Sequence, residues 1–130
     1  MDSSSNITIR LLEGTDLPKI PAFFSGLSET SRNFYHPYAF DDGAIQLIAK
    51  EIKNDDCAHI GAFSDQKMVG HIWYRGRNSY PVLGIGVIDN FQNMGIGRRL
   101  MQEIEITAQQ HGKLGLSLTC YMENYRAIRV

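Results

Sequence analysis

Cysteine is scarce in this chain: two in 130 residues, Cys57 and Cys120, far apart in the sequence and each in apolar surroundings. Neither metal-ligand spacing nor a C-x-x-C pair is present, which excludes a small zinc module and a thioredoxin-type redox pair. Free buried thiols in a reducing cytoplasm are expected. Charge of one sign is lacking too, since 13 Lys and Arg stand against 14 Asp and Glu for a formal net charge of −1. No broad basic field is left to attract nucleic acid, so no nucleic-acid partner is expected. No charged-then-apolar leader opens the chain and no run approaches the ~18 apolar residues of a membrane span, so no membrane partner is expected either. Repeats, low-complexity tracts and linkers are missing, and "MDSSSN" reads as a frayed polar start. The length suits one domain over residues 1–130 with a core that needs no disulfides.

Hydrophobic periodicity sets out the elements. "NITIRLL" (6–12) alternates Ile7, Ile9 and Leu11 as a strand does. "EGTDLPKIPAFFSGL" offers Thr15 or Asp16 as a helix N-cap, Pro18 in the first turn and Gly26 at the far end, with Pro21 making the helix short or irregular. After the aromatic-rich loop "SETSRNFYHPYAF", "DDGAIQLIAKEIK" shows helical spacing at Ile45, Ile48 and Ile52 behind an Asp cap. "AHIGAF" (58–63) and "KMVGHIWYRGR" (67–77) pair as an antiparallel hairpin about "SDQ". "PVLGIGVI" (81–88) is a further strand. In "GRRLMQEIEITAQQHG" (97–112) Leu100, Ile104 and Ala108 share a helical face, and Gly112 stands where a C′ glycine belongs. "KLGLSLTCY" (113–121) alternates as a strand, and "ENYRAIRV" begins a helix. The order β-α-α-β-β-β-α-β-(α) is an α+β, mixed-sheet layout with a βαβ unit over residues 81–121.

Gly-Ile-Gly occurs twice within this unit, at 84–86 and 95–97. A dinucleotide fingerprint requires a third glycine, but that position is Leu100 counted from Gly95 and Asp89 counted from Gly84. The Walker lysine and its threonine are absent as well. "QNMGIG" (92–97) nevertheless lies between a strand end and a strong helix, where unpaired N–H groups and the helix dipole favour an anion such as a pyrophosphate. Arg98 and Arg99 follow in the first helical turn, unfavourable to the dipole but useful beside phosphate. A plain tight turn with solvated arginines is the competing reading.

"LGIGVIDNFQNMGIGRRLMQEIE" resembles motif A of the GNAT acetyltransferase superfamily: hydrophobic strand, short polar loop, Q/R-x-x-G-x-G/A, amphipathic helix. "LSLTCYMENYRAIRV" is similar to the segment that follows it, a strand and then N-x-x-A-I opening a helix. The resemblance spans essentially the whole chain. It implies a mostly antiparallel mixed sheet flanked by helices, and acetyl-CoA as cosubstrate. It further implies that backbone amides of Gln92, Asn93, Met94, Gly95, Ile96, Gly97 and Arg98 hold the pyrophosphate, that the backbone of Ile85, Val87 and Ile88 holds the pantetheine arm, and that Asn124 meets this arm. Gly84 and Gly86 then mark a bulge or splay that opens a slot for the arm, or else a thin spot in the packing.

The pattern is also incomplete. Members often carry a glutamate near the start of the strand before motif A, where "NSYPVLG" has no acid. The tyrosine that commonly serves as acid would follow Val130, and the family's last two strands have no counterpart, so an exposed edge covered in a homodimer is expected. Tyr121, at the end of the strand beside the expected thioester, is the candidate acid; Tyr80 and Tyr125 are weaker ones. His71, alone in its strand, reads as a structural or surface residue. His36 with Phe34, Tyr35 and Tyr38, in the loop where the family builds its acceptor site, either lines that site or plugs the loop. Glu29, Asp41 and Asp42 suit a cationic amine or are caps. With no histidine beside Cys120 in sequence, direct acetyl transfer to a primary amine is expected, with no metal and no covalent enzyme intermediate. The competing classes are a non-catalytic acyl-CoA-binding module and an interaction domain with an open sheet edge.

Overall fold

The computed structural model of the chain describes residues 7–29, 42–92 and 94–118. Strand β1 (Ile7–Leu11) leads into a 3-10 turn over Gly14–Lys19 and then helix α1 (Ile20–Ser25). The prolines divide what the spacing predicts as one helix. The cap is Glu13 rather than Thr15 or Asp16: Glu13 N–H donates to Asp16 Oδ2 (2.8 Å), and Asp16 N–H donates to Glu13 O (2.9 Å). Asp16 itself is buried and held by the Arg10 guanidinium at 2.7 and 2.9 Å, which lowers its carboxyl pKa to about 2.

Helix α2 (Asp42–Glu51) turns its buried Ile48 toward the sheet. Strands β2 (Ala58–Ser64) and β3 (Lys67–Tyr74) form the expected hairpin through Asp65 and Gln66, with Asp65 at φ 56°. Their register shifts between Ala62 and Phe63, opposite Gly70 and Met68 respectively, leaving Val69 as the extra residue of a bulge. Strand β4 (Val82–Val87) runs antiparallel to β3, helix α3 (Ile96–Gln110) follows, and β5 (Ser117–Leu118) lies parallel to β4. The five strands are in sequential order, so β4–α3–β5 is the predicted βαβ unit in an α+β mixed sheet.

Two details differ from the periodicity. The last strand begins at Ser117 rather than at 113, because the N–H groups of Leu114 and Gly115 both donate to Ser79 O, which leaves Leu114 71% exposed. The bulge lies in the β2–β3 hairpin rather than at Gly84 and Gly86, where the β3–β4 register runs unbroken. Helix α3 ends as its C′ glycine predicts: Gly112 has φ 76°, and Lys113 N–H donates to Ala108 O (2.9 Å).

Helix α3 covers one face of the sheet, burying Ile96, Leu100, Ile104 and Ala108. A Cβ at Gly70 would meet Leu100 Cδ1 at 3.0 Å, Ala62 Cβ at 3.2 Å and Ile96 Cγ2 at 3.4 Å, so the helix sits directly on that glycine. Helices α1 and α2 cover the other face, where Phe23 meets His71 edge-on and Glu51 meets His59. Gly70→Val should lift α3 from this seat and destabilise the protein by about 1–3 kcal/mol in urea unfolding, as overpacking does; unchanged stability would mean that the helix is not closely seated there.

Candidate functional site

The loop from β4 to α3 places backbone at the helix N-terminus. Gly95, the N-cap, has φ 79° and ψ 6°, the left-handed region. A Cβ built there would meet nothing within 4 Å, so glycine serves the backbone angle rather than space. The first turn of α3 carries no acid and presents Arg98 to solvent, leaving the positive end of a 15-residue helix uncompensated. Arg99 is used differently, its guanidinium reaching Ile7 O at 3.3 Å, which ties the helix start to β1. Ile96 buries its side chain in the core. Met94 packs against the same core. Both side chains are thus engaged by the core. The loop is braced by Gln92, whose Nε2 donates to Val87 O (3.0 Å) and Asp89 Oδ1 (3.2 Å).

Strand β4 leads straight into this loop. Ile88 N–H donates to Val69 O (2.9 Å), and hydrogen-bonding direction alternates along an antiparallel strand. Ile88, Gly86 and Gly84 therefore turn their backbone groups to β3, whereas Ile85 and Val87 turn theirs to the β5 side. Ile88 O also accepts from Phe91 N–H (2.8 Å), so both its main-chain groups are engaged inside the fold, whereas the backbone of Ile85 and the N–H of Val87 face away from β3, Val87 O accepting from Gln92 Nε2. Described pairing between β4 and β5 joins Val82 to Ser117 and Leu83 to Leu118, at the start of β4 and before Ile85. Gly84 and Gly86 stand opposite Trp73 and His71 and present no side chain on the α1–α2 face. Tyr121, Asn124, Asn93 and the 34–38 aromatic cluster lie outside the described residues, as do Cys120, Tyr125 and Asp41. Tyr80 is exposed and lies over Gly115.

The pattern readings missed an assembly on the α1–α2 face. His71, read as a lone strand histidine, is fully buried, and its Nε2 is 2.9 Å from His59 Nδ1. His59 Nε2 is 2.9 Å from Glu51 Oε1. Arg75 Nε lies 2.6 Å from Glu51 Oε2 as a charge contact whose N–H is not aligned for a hydrogen bond, and its guanidinium stacks on Trp73 at 4.3 Å. Burial pushes the pKa of His59 down and that of His71 well down, the Arg75 charge adding to both, against the Glu51 carboxylate that raises His59. These groups form a line rather than a convergent cage, and no group of three or more metal-type ligands is brought together among the described residues.

The model of the Acetyltransferase (GNAT) family matches residues 21–130. The chain belongs to the GNAT acetyltransferase family. No curated protein sequence matches it. Among solved structures, the GNAT domain of S. lividans PAT superposes with a TM-score of 0.79 at 13% identity, covering 93% of this chain and 76% of that one. The aminoglycoside N-acetyltransferase AAC(6')-Iy in complex with CoA gives 0.73 at 20% identity over 95% and 82%. The ribosomal-protein-S18-alanine N-acetyltransferase from Escherichia coli gives 0.71 at 21% identity over 95% and 72%. At these identities the superpositions establish the fold; the family match establishes the chain as a GNAT acetyltransferase, and so as acetyl transfer to amines in general. Among the described residues, no helix of this GNAT domain is long and apolar enough to cross a membrane.

The buried histidines of this GNAT domain make its stability depend on pH. Their pKa values are lowered on folding, so below about pH 6.5 the unfolded chain binds more protons than the folded one and stability falls. Each neutral buried ring should contribute a slope approaching about 1.4 kcal/mol per pH unit in that window. Urea titrations from neutral to mildly acidic pH should show the slope, reduced in His71→Gln; a flat profile would contradict neutral burial.

Proposed function

We propose that this GNAT domain binds acetyl-CoA along β4 and the α3 N-terminus and transfers the acetyl group directly to a primary amine. The observation that carries the reading is the continuity of two backbone surfaces: the main chain of Ile85 and Val87 turned away from β3, with Val87 O taken by Gln92 Nε2, and then the left-handed Gly95 opening α3. Amides of Met94 through Arg98 donate to the pyrophosphate, with the exposed Arg98 adding charge and Gln92 holding the loop in shape. The main chain of Ile85 and Val87 fixes the pantetheine arm.

Bound acetyl-CoA supplies an activated acetyl group. The domain's own contribution is to hold it against the acceptor, worth most when the reacting atoms are pre-aligned, and to place N–H donors where charge develops on the carbonyl oxygen. Tyr121 is the proposed proton donor to the departing sulfur, and Asn124 and Asn93 complete the binding residues. The acceptor class is a small molecule or peptide bearing a primary amine. That reading is in keeping with neighbours named for aminoglycoside and ribosomal-protein acetylation.

Titration calorimetry with acetyl-CoA should show saturable binding that Gly95→Glu abolishes, since that change adds backbone strain and negative charge at the cradle. Ligand at ~100 times its dissociation constant should add about 2.7 kcal/mol of stability to the parent chain. Undiminished binding by the variant would place the phosphate elsewhere. Binding without CoA release in the presence of any amine would favour an acyl-CoA-binding module.

A further inference from the structure

We propose that Arg75 selects the acceptor: its two terminal amino groups receive a carboxylate, so that the preferred substrate is an amine that also carries a carboxylate, such as an amino acid. The inference rests on the acetyl-transfer reading and narrows the acceptor class within it. The guanidinium is held on two sides. It stacks on the Trp73 ring at 4.3 Å, and its buried Nε stands 2.6 Å from Glu51 Oε2 without an aligned hydrogen bond. Glu51 is fixed in turn by His59 Nε2 at 2.9 Å. The terminal amino groups make no hydrogen bond among the described residues, and the side chain is 36% exposed, so a ligand can reach it from solvent.

A planar fork of N–H donors matches a carboxylate with two parallel hydrogen bonds, and it binds best when the fork is held in place beforehand. The neighbouring cations are placed differently. Arg77 has a 91% exposed side chain with Nε on Asp56 Oδ2 at 3.0 Å, and Lys113 Nζ is spent on Gly76 O at 2.7 Å. The strand register puts the fork near the proposed acetyl donor. Trp73, on which the guanidinium lies, stands opposite Gly84 of β4, the residue before Ile85. Tyr74 pairs with Leu83, so the next step along the ladder brings Arg75 level with Val82, which is 50% exposed. Neighbouring strands lie about 5 Å apart, so a carboxylate on Arg75 is within one or two strand spacings of β4. That span suits an amine and a carboxylate separated by a few bonds. A polycation with no carboxylate would instead meet the like charge of Arg75.

The test follows CoA release from acetyl-CoA with each protein amino acid and with its α-carboxamide, which keeps the amine and removes the negative charge. Kanamycin and spermidine serve as amines without a carboxylate. In the parent chain the best-used amino acid should exceed its amide by about 10- to 10²-fold in kcat/KM, the difference lying in KM. Arg75→Gln should keep the acetyl-CoA dissociation constant and the rate with the amide while losing the preference for the acid. Arg75→Lys, which keeps a cation beside Glu51 but lacks the fork, should show an intermediate preference. Kanamycin or spermidine used better than every amino acid, a preference for the acid that survives in Arg75→Gln, or equal losses with acid and amide would overturn the assignment while leaving acetyl transfer intact. Failure of the parent chain to bind acetyl-CoA, or to release CoA with any of the amines, would overturn the acetyl-transfer reading and the assignment together.

Discussion

The seat of α3 on Gly70 is the constraint from which the geometry of the site follows. Because Gly70 has no side chain, Ile96 and Leu100, one helical turn apart, come down onto the sheet between β2 and β4. That contact fixes the height and angle of the first turn of α3, while Arg99 bonded to Ile7 O fastens the same turn to β1. With the turn held at its side chains, the N–H groups of Ile96, Gly97 and Arg98 stand at the N-terminal end of the helix, where no intrahelical carbonyl meets them. A left-handed Gly95 completes the entry from β4 without strain.

The site is thus built mostly of main chain, which explains how far it was legible. The αL glycine, the long amphipathic helix and the strand before it each leave a mark in residue type and period, and "QNMGIGRRL" carries all three. The α+β order and the strand, glycine loop and helix of the candidate cradle could be read for that reason. Which β4 amides face outward depends on the hydrogen-bond phase set by Ile88 and Val69, and phase leaves no trace in composition. Residue type therefore does not separate Ile88 from Ile85 and Val87; the strand pairing does. The start of β5 was likewise hidden, since Leu114 fits the alternation but its amide turns to Ser79.

The histidine line was hidden by one residue. With the register of the hairpin turn carried on unshifted, Ser64 opposite Lys67, His59 would stand opposite Ile72 and face away from His71. The extra Val69 moves the pairing by one, so that His59 stands opposite Trp73 and shares the face of His71. A bulge rarely announces itself in sequence, and here it decides whether two histidines touch. It also places Val69 O to receive Ile88 N–H, so the same irregularity sets the phase of β4.

The central claim is that the outward amides of β4 and the first turn of α3 form one continuous binding surface for acetyl-CoA. Amide chemical-shift mapping of the labelled chain on addition of CoA tests it most directly. Large shifts at Gly95, Ile96, Gly97 and Arg98 together with Ile85 and Val87, and small ones at Gly84 and Gly86, are the predicted pattern. Shifts that leave the α3 N-terminus untouched, or an equal response along both sides of β4, would contradict it.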